Sequence, residues 1–315
     1  MSRTSYPAGP AFLTAGGLTI EMSEDWKAVS QIMKSEMKTN LHGIIGYSEQ
    51  YVITKITGKP IALRGNIADL FAFLFPYDPS MIGQLVMPDA DQPAVIQTRD
   101  GKEITYPASF LSKEPDVNFA ANTDIFGDFE LTCLRAIGAD VTDPDDVAAV
   151  ADSEFAAPSL DPLTRIRSPY SVAWGNTTPF DAIEVSKAGV KFNVNTKLAP
   201  VEPDLSGLIN MRIESVEAAA KFTPLNLDIE DFLNFVQLAS AKAGVGQILG
   251  LRGQQLTVAS TKVGDPKLII PLAVPDEGPL GFDLKSRVGE VTLQANRASV
   301  GGVLQALFTL GVVTA

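Results

Sequence analysis

An internal repeat with a period of more than 150 residues constrains this chain most, because a duplicated sequence is expected to fold twice. Residues 42–45 (HGII) match residues 206–209 (SGLI), and residues 59–61 (KPI) match residues 223–225 (TPL), both at an offset of 164 (206 minus 42, 223 minus 59). Two further matches keep the same order, residues 66–73 with 228–235 at an offset of 162 and residues 130–132 with 290–292 at an offset of 160. We therefore predict two tandem copies of one fold.

The predicted copies are residues 1–139 and residues 169–315, and residues 140–168 join them. At 315 residues, the chain is long enough for about two ordinary domains. The joining segment is rich in Asp and Pro, with few large apolar side chains, which is typical of a solvated linker.

Each copy is predicted to be a small antiparallel β-sandwich with one short helix, a mainly β fold. Alternating apolar residues predict the strands, Asp100-Gly101 predicts a hairpin turn, and Ile67, Leu70 and Leu74 fall on one helical face after Asn66, a candidate N-cap. For copy one we predict strands at 10–18, 45–61, 94–97, 103–106 and 128–136 and a helix at 67–75. For copy two we predict strands at 170–174, 207–221, 253–258, 267–272 and 289–295 and a helix at 229–238.

Two long intervals, residues 22–41 and 183–205, precede the central strands and are predicted to be loops. Loops of about twenty residues are uncommon in compact domains unless they have a function. The first interval has an approximate helical spacing of apolar residues, and it could equally be an extended hairpin arm. Its predicted inter-ring or inter-subunit contact residues are Met22, Trp26, Val29, Met33 and Met37.

No pattern of catalytic, cofactor-binding or metal-binding residues is found, so we expect a non-enzymatic protein. The only histidine, His42, rules out a histidine-rich zinc site and is predicted to lie in a surface turn. The only cysteine, Cys133, lies in an apolar alternation and is predicted to be a core residue. Nucleophile-elbow, phosphate-loop and dinucleotide-binding patterns are missing from the sequence.

The net charge of −12 argues against a surface that grips nucleic acid by neutralising phosphates. The amino-terminal residues do not form a secretory signal pattern, which favours a cytoplasmic site of synthesis and assembly. Residues 300–315 are apolar but shorter than the roughly 20 residues that cross a bilayer. We predict that they form buried strand and helix, and we expect no membrane association.

The order of these features resembles the major tail-tube protein of long-tailed bacteriophages. Residues 99–106 and 128–133 look like the closing hairpin and last strand of that family, and residues 66–75 look like its helix. The resemblance covers nearly the whole chain as a pattern. It implies stacked rings of six sandwiches whose inner sheets join around a DNA channel. With two sandwiches per chain, the ring would be a homotrimer with approximate six-fold symmetry.

The resemblance also implies a location and partners. The protein would belong to the virion tail, assemble in the host cytoplasm, and bind other copies of itself, a tape-measure protein, a terminator and a distal tail protein. Genomic DNA would pass through the lumen without specific binding, because carboxylates repel it. The candidate lumen carboxylates are Glu49, Glu103, Glu130, Glu214 and Glu290.

Three alternatives remain open. Another tail component built on the same fold, such as a terminator, decoration or baseplate hub protein, would share these features. A β-sandwich carbohydrate-binding protein or enzyme would need paired carboxylates and aromatic residues in a cleft, and Trp26 and Trp174 are far apart in the sequence. The chain could also be an unrelated two-domain β-protein.

Overall fold

The computed structural model describes residues 11–23, 25–87, 92–121, 123–134, 148–154, 164–175, 183–202, 208–225, 253–277 and 289–314. It confirms the predicted mainly β class, with antiparallel sheets throughout and one α-helix among the described residues. The predicted second helix, at 229–238, lies outside the described residues.

We call residues 1–139 the first half and residues 169–315 the second half. The strands of the first half include two short hairpins and one long one. In chain order they are β1 (Ala11–Ala15), β2 (Leu18–Ile20), β3 (Lys27–Thr39), β4 (Gly43–Gly58), β5 (Ala94–Thr98), β6 (Lys102–Tyr106), β7 (Ala108–Lys113), β8 (Val117–Phe119) and β9 (Phe129–Leu134). The remaining strands are β10 (Ala149–Asp152), β11 (Ser171–Trp174), β12 (Ile183–Val201), β13 (Asn210–Pro224), β14 (Gln254–Ala259), β15 (Pro266–Glu277), β16 (Val291–Asn296), β17 (Ser299–Val300), β18 (Val303–Leu304) and β19 (Thr309–Val312).

These strands form three main sheets. A five-stranded sheet has the order β10-β6-β5-β1-β2, and a four-stranded sheet has the order β3-β4-β9-β7. The third sheet has eight strands: β11-β14-β15-β16-β13-β12-β8 lie in that order, and β19 pairs with β15. Strands β17 and β18 pair only with each other.

The single described helix, α1 (Ile67–Leu74), buries the face that its spacing predicts. Ile67, Leu70, Phe71 and Leu74 are all buried. Asn66 precedes the helix but its side chain does not cap it. Instead its Oδ1 accepts a hydrogen bond from the backbone N–H of Leu63 at 2.8 Å, so Asn66 stabilises the turn that leads into the helix.

Two predictions for the strands need correction. The predicted strand at 10–18 is broken by Gly16 and Gly17, whose φ values of 57° and 76° are easily adopted only by glycine, and the chain turns there between β1 and β2. The two predicted loops are wrong. Residues 22–41 and 183–205 contain the long strands β3 and β12, and for residues 22–41 the alternative of an extended hairpin arm is confirmed.

We call β3, β4 and the connecting residues 40–42 arm 1, and the β12–β13 hairpin arm 2. The two arms have the same register at an offset of 164. Lys27 pairs with Thr57 and Lys191 pairs with Lys221, and each following pair in arm 1 has its equivalent in arm 2 as far as Val201 and Asn210. Both arms contain a bulge at the same place, in β4 opposite Met33 and Lys34 and in β13 opposite Lys197 and Leu198.

The other strands of the two halves also pair in the same order. Strand β15 corresponds to both β6 and β7. Its first part pairs with β14 as β6 pairs with β5, and its second part pairs with β16 as β7 pairs with β9. Pro271, in the middle of β15, stands 164 residues after Pro107, which separates β6 from β7. The pairing places Glu130 opposite Thr57 and Thr292 opposite Lys221, which corrects the offset of the last strand from 160 to 162.

The two halves do not form separate units, because one hydrophobic cluster contains buried residues from both. Phe192 in β12 is completely buried, and its ring centroid lies 6.4 Å from that of Phe75 in the first half and 5.0 Å from that of Phe308 in the second. Part of the predicted linker is also built into the fold, since β10 pairs with β6. The description of residues 140–168 as a purely solvated linker is therefore wrong.

The carboxyl-terminal segment also differs from its prediction. Residues 300–315 were expected to be buried strand and helix, but the described residues of this segment form β18, β19 and the end of β17, without a helix. Val300, Val303 and Leu304 are exposed. Only β19 continues a sheet, by pairing with the first part of β15.

Candidate assembly surface

Arm 2 is held against the first half by backbone pairing along both of its edges. On one side, β8 pairs with β12 at Val190, Lys191 and Phe192. On the other side, Val86 N–H donates to the carbonyl of Met211 at 2.9 Å, and Gly83 N–H donates to the carbonyl of Ile213 at 2.8 Å. The first half therefore provides a strand partner for β12 and backbone hydrogen bonds from a loop for β13.

Apolar side chains fill the contact between arm 2 and the four-stranded sheet. Ala108, Phe110 and Leu134 of that sheet are buried together with Met87 and Leu208. Leu198, Met211 and the partly buried residues Tyr51, Ile53 and Val86 pack against this cluster. Burial of these side chains stabilises the contact by roughly 1.5–3 kcal/mol for each large residue removed from water.

Two carboxylates at the end of β7 receive hydrogen bonds from β12. Asn193 Nδ2 donates to Asp116 Oδ1 at 2.6 Å, and the hydroxyl of Thr196 donates to Glu114 Oε1. Glu114 is only 4% exposed. Burial raises the pKa of its carboxyl group above the usual value of 4.5, although the hydrogen bonds from Thr196 and from backbone N–H groups oppose this shift.

We expect Glu114→Gln to change how stability depends on pH. A folded-state pKa above the unfolded one favours folding at low pH, and this contribution is lost as the pH rises through the raised pKa. Glutamine keeps an acceptor for Thr196 and has no charge. The free energy of unfolding of the variant, relative to the unmodified chain, should therefore increase between pH 4.5 and 7.5 in urea titrations.

The control for this experiment is Glu214→Gln, which changes an exposed carboxylate on β13 of the same arm. Its stability should follow the pH profile of the unmodified chain. If Glu114→Gln and Glu214→Gln have the same profile, burial of Glu114 does not contribute to the pH dependence.

Arm 1 has the same register as arm 2, but the described residues do not pair with it along both of its edges. Strand β4 pairs with β9 only from Thr54 to Gly58, and β3 pairs only with β4. Within the described part of the chain, the backbone edge of β4 before Thr54 and the outer edge of β3 have no strand partner. Unpaired strand edges are sites where another strand can add.

The side chains of arm 1 are unusually apolar for an exposed hairpin. Val29 is 51% exposed, Ile32 57% and Leu41, at the tip, 85%. Four more large apolar residues of the arm are exposed, and these are Met37, Ile44, Ile45 and Tyr47. Several exposed apolar side chains beside free strand edges are typical of a protein–protein contact.

The structure divides the predicted contact residues into two groups. Met22 is 8% exposed and belongs to the hydrophobic core, and Trp26 packs against that core. Met22 is therefore a core residue, which corrects its prediction as a contact residue. Val29, Met33 and Met37 lie on arm 1, where Val29 and Met37 are exposed and Met33 is partly exposed.

The five predicted lumen carboxylates are not brought together on one sheet. Glu103 lies on β6 of the five-stranded sheet, where it accepts a hydrogen bond from Gln97 Nε2 at 3.1 Å. Glu49 and Glu130 belong to strands of the four-stranded sheet. Glu214 is exposed on β13 of the eight-stranded sheet, and Glu290 is exposed directly before β16.

Glu130 has two polar side-chain contacts through one carboxylate oxygen. Its Oε1 accepts from Lys55 Nζ at 2.9 Å and from Ser112 Oγ at 2.8 Å. The ion pair with Lys55 offsets its negative charge. Glu130 therefore contributes less to repulsion of a polyanion than the exposed Glu214 and Glu290.

The described residues do not contain a metal-binding cluster of the usual kind. Among them, no group of three or more His, Cys, Asp or Glu side chains could hold a metal ion. Cys133 is buried, as predicted, and burial raises the pKa of its thiol to about 12, so it stays protonated at neutral pH. His42 is exposed in the turn at the tip of arm 1, also as predicted.

A groove of about 920 Å³ is lined mostly by charged and polar side chains. Its only aromatic lining residue, Phe129, is completely buried. Carbohydrate sites stack sugar rings on exposed aromatic faces, so this groove does not favour the carbohydrate-binding alternative.

Compared with known proteins, the chain matches no protein-family model. It also matches no curated protein sequence. Among the described residues, none of the helical structure is long and apolar enough to span a lipid bilayer.

Proposed function

We propose that this protein is a structural subunit of a bacteriophage-type tail tube, made of two copies of one fold, that assembles into stacked rings. The duplication is supported by the common register of arms 1 and 2 as far as Met37 and Val201, including the bulges opposite Met33 and Lys197. A β-bulge is specific to its position in a strand, so its recurrence at an offset of 164 fits a common origin of the two hairpins.

The difference between the two arms carries the proposal. Arm 2 forms backbone hydrogen bonds with the first half, whereas arm 1 has free edges and exposed apolar side chains. A second chain whose second half received arm 1 would complete the missing contact. Because this contact joins two different surfaces, it is heterologous, and repeated head-to-tail contacts close into a ring. Three chains would supply six copies of the fold, which gives a trimer with approximate six-fold symmetry.

A channel for DNA is compatible with the charge of the chain. The net charge of −12 disfavours tight binding to phosphates, and uniform repulsion would let DNA slide through the tube. Glu214 and Glu290 are exposed and suited to this role. The partners of such a tube would be a tape-measure protein, a terminator and a distal tail protein, and its location would be the virion tail.

A second candidate function is another tail component on the same fold, such as a terminator. The exposed tip of arm 1, with Leu41 at 85% exposure, would serve ring formation in either protein. The two differ in stacking, because a terminator stops at one ring and a tube subunit continues.

The test is negative-stain electron microscopy of the purified protein over a concentration series, together with its mass in solution. We expect hollow tubes, or rings with three times the mass of one 33.6 kDa chain. Single rings that never stack would favour the terminator. A monomer at every concentration would contradict the assembly that both candidates require.

A further inference from the structure

An ion pair joins the two halves beside the segment that connects them. Arg64, just before α1, donates from Nε to Asp265 Oδ1 at 2.9 Å. Asp265 lies directly before β15 and is completely buried. The backbone N–H of Arg64 also donates to the carbonyl of Thr164 at 3.2 Å. The first half, the end of the connecting segment and the second half therefore meet at this ion pair.

Two buried oxygen atoms at this junction have no protein hydrogen-bond partner in the described part of the chain. They are the second carboxylate oxygen of Asp265, Oδ2, and the hydroxyl oxygen of Tyr170. Burial is the main cause that raises the pKa of Tyr170. The charge of Asp265 raises this pKa further and the charge of Arg64 lowers it, so the three side chains lie within electrostatic range of one another.

Both oxygens are shielded from bulk solvent, and the packing around them holds them in place. The ring of Tyr170 packs edge-on against the completely buried Phe119, with the ring centroids 5.4 Å apart. The side-chain carbons of Arg64 lie beside Gly264. A buried hydroxyl or carboxylate oxygen without a partner is unfavourable, so such atoms in folded proteins are usually bonded to protein groups or to an ordered water.

The chemistry of the two groups fits a water molecule. A phenolic hydroxyl can donate and a carboxylate oxygen accepts, so one water can accept from Tyr170 Oη and donate to Asp265 Oδ2. Buried waters form roughly two to four hydrogen bonds with polar groups of this kind. A cation fits less well, because the guanidinium group of Arg64 already balances the charge of Asp265 and would repel a second positive charge.

We propose that an ordered water molecule is bound between Tyr170 Oη and Asp265 Oδ2 and completes the polar junction at which Arg64 holds the two halves together. The water is then a structural component of the folded chain. This inference does not depend on the proposed ring, because all the residues that form the site belong to one chain.

The test compares the stability of Tyr170→Phe with that of its matched control, Tyr77→Phe. Both tyrosines are 7% exposed, and Tyr77 Oη donates directly to the carbonyl of Leu111 at 2.6 Å. The equilibrium constant for unfolding of the full chain is measured by urea titration under conditions in which it is monomeric. We expect this constant to rise about two- to tenfold in both variants, because each variant loses one hydrogen bond.

A hydroxyl of Tyr170 without a bound water would give the opposite sign. Removing a buried hydroxyl that has no hydrogen bond relieves the cost of its burial. The unfolding constant of Tyr170→Phe would then fall or stay the same, while that of Tyr77→Phe rises. This outcome would overturn the proposal.

A crystal structure of the full chain, at a resolution that shows ordered waters, gives a second readout that does not depend on stability. We expect a density peak about 2.7–2.8 Å from both Tyr170 Oη and Asp265 Oδ2, the usual distance between hydrogen-bonded oxygens. A direct contact between the two oxygens without a peak, or a metal ion identified there by its anomalous signal, would overturn the proposal.

Discussion

Shortening arm 1 should produce a folded chain that no longer assembles. In the designed variant, an Asn-Gly pair replaces residues 34–50 and joins Met33 to Tyr51, which face each other across the hairpin. Asn-Gly is favoured in two-residue hairpin turns, so the shortened hairpin can close. The deletion removes five exposed apolar residues of the contact surface, which are Met37, Leu41, Ile44, Ile45 and Tyr47. Only residues before Thr54 are lost, so pairing of β4 with β9 is kept.

Assembly is measured by electron microscopy and solution mass, and folding by circular dichroism and thermal unfolding. We expect loss of rings and tubes with a nearly unchanged unfolding midpoint. Rings that form normally from the shortened chain would contradict both the assembly surface and the role of arm 1.

The equivalent deletion in arm 2 is the matched control. It joins Lys197 to Ser215, which also face each other, and removes Leu198, Leu208 and Met211 from their contacts with the first half. Removal of a buried Leu such as Leu208 costs roughly 2–5 kcal/mol, and the contacts of the partly buried Leu198 and Met211 are lost as well, so this variant should be strongly destabilised. The opposite outcomes expected for two hairpins of equal register separate an arm used for assembly from an arm used for folding.

Replacing Phe192 by alanine should destabilise the whole chain in one step. Its ring is completely buried and contacts Phe75 of the first half and Phe308 of the second. Loss of a buried phenylalanine side chain costs about 3–5 kcal/mol, because burial is lost and a cavity is left. Since one cluster runs through both halves, urea unfolding should remain a single transition and shift to lower urea concentration.

Tyr47→Ala is the control for this prediction, since it also removes an aromatic ring. Tyr47 is exposed on arm 1, with Lys34 Nζ 4.4 Å from its ring centroid. A cation–π contact at an exposed site contributes about 0.5–1 kcal/mol, so its loss should have a small effect. Two separate unfolding transitions in Phe192→Ala, with only one half affected, would show that the halves fold independently.

The sequence predicts two domains, whereas buried residues from both halves belong to one hydrophobic cluster in the structure. The spacing of the repeat marks two similar hairpins, but it says nothing about whether they contact each other. Phe75 and Phe192 lie more than 100 residues apart in the sequence, and each is an ordinary apolar residue within its own pattern. Only the folded chain brings them together.

The sequence by itself determined part of the local structure, above all the common register of the two arms. Gly43 and Gly207, like Pro60 and Pro224, are 164 residues apart, so the arms contain no relative insertion or deletion between these points. Antiparallel register changes only when residues are inserted, deleted or bulged, and equal spacing therefore predicts equal register. The buried face of α1 and the hairpin turn at Gly101 follow in the same way from periodicity and from a glycine with a φ of 79°.

Only the tertiary structure shows that arm 2 pairs with the first half and that arm 1 keeps unpaired strand edges among the described residues. The backbone edges of β3 and β12 offer the same donors and acceptors, so nothing in the backbone distinguishes them. The choice depends on side chains from distant segments, such as Glu114 and Thr196, which lie 82 residues apart and meet only after folding. Burial and hydrogen bonding depend on distances in space, whereas a sequence pattern contains only distances along the chain.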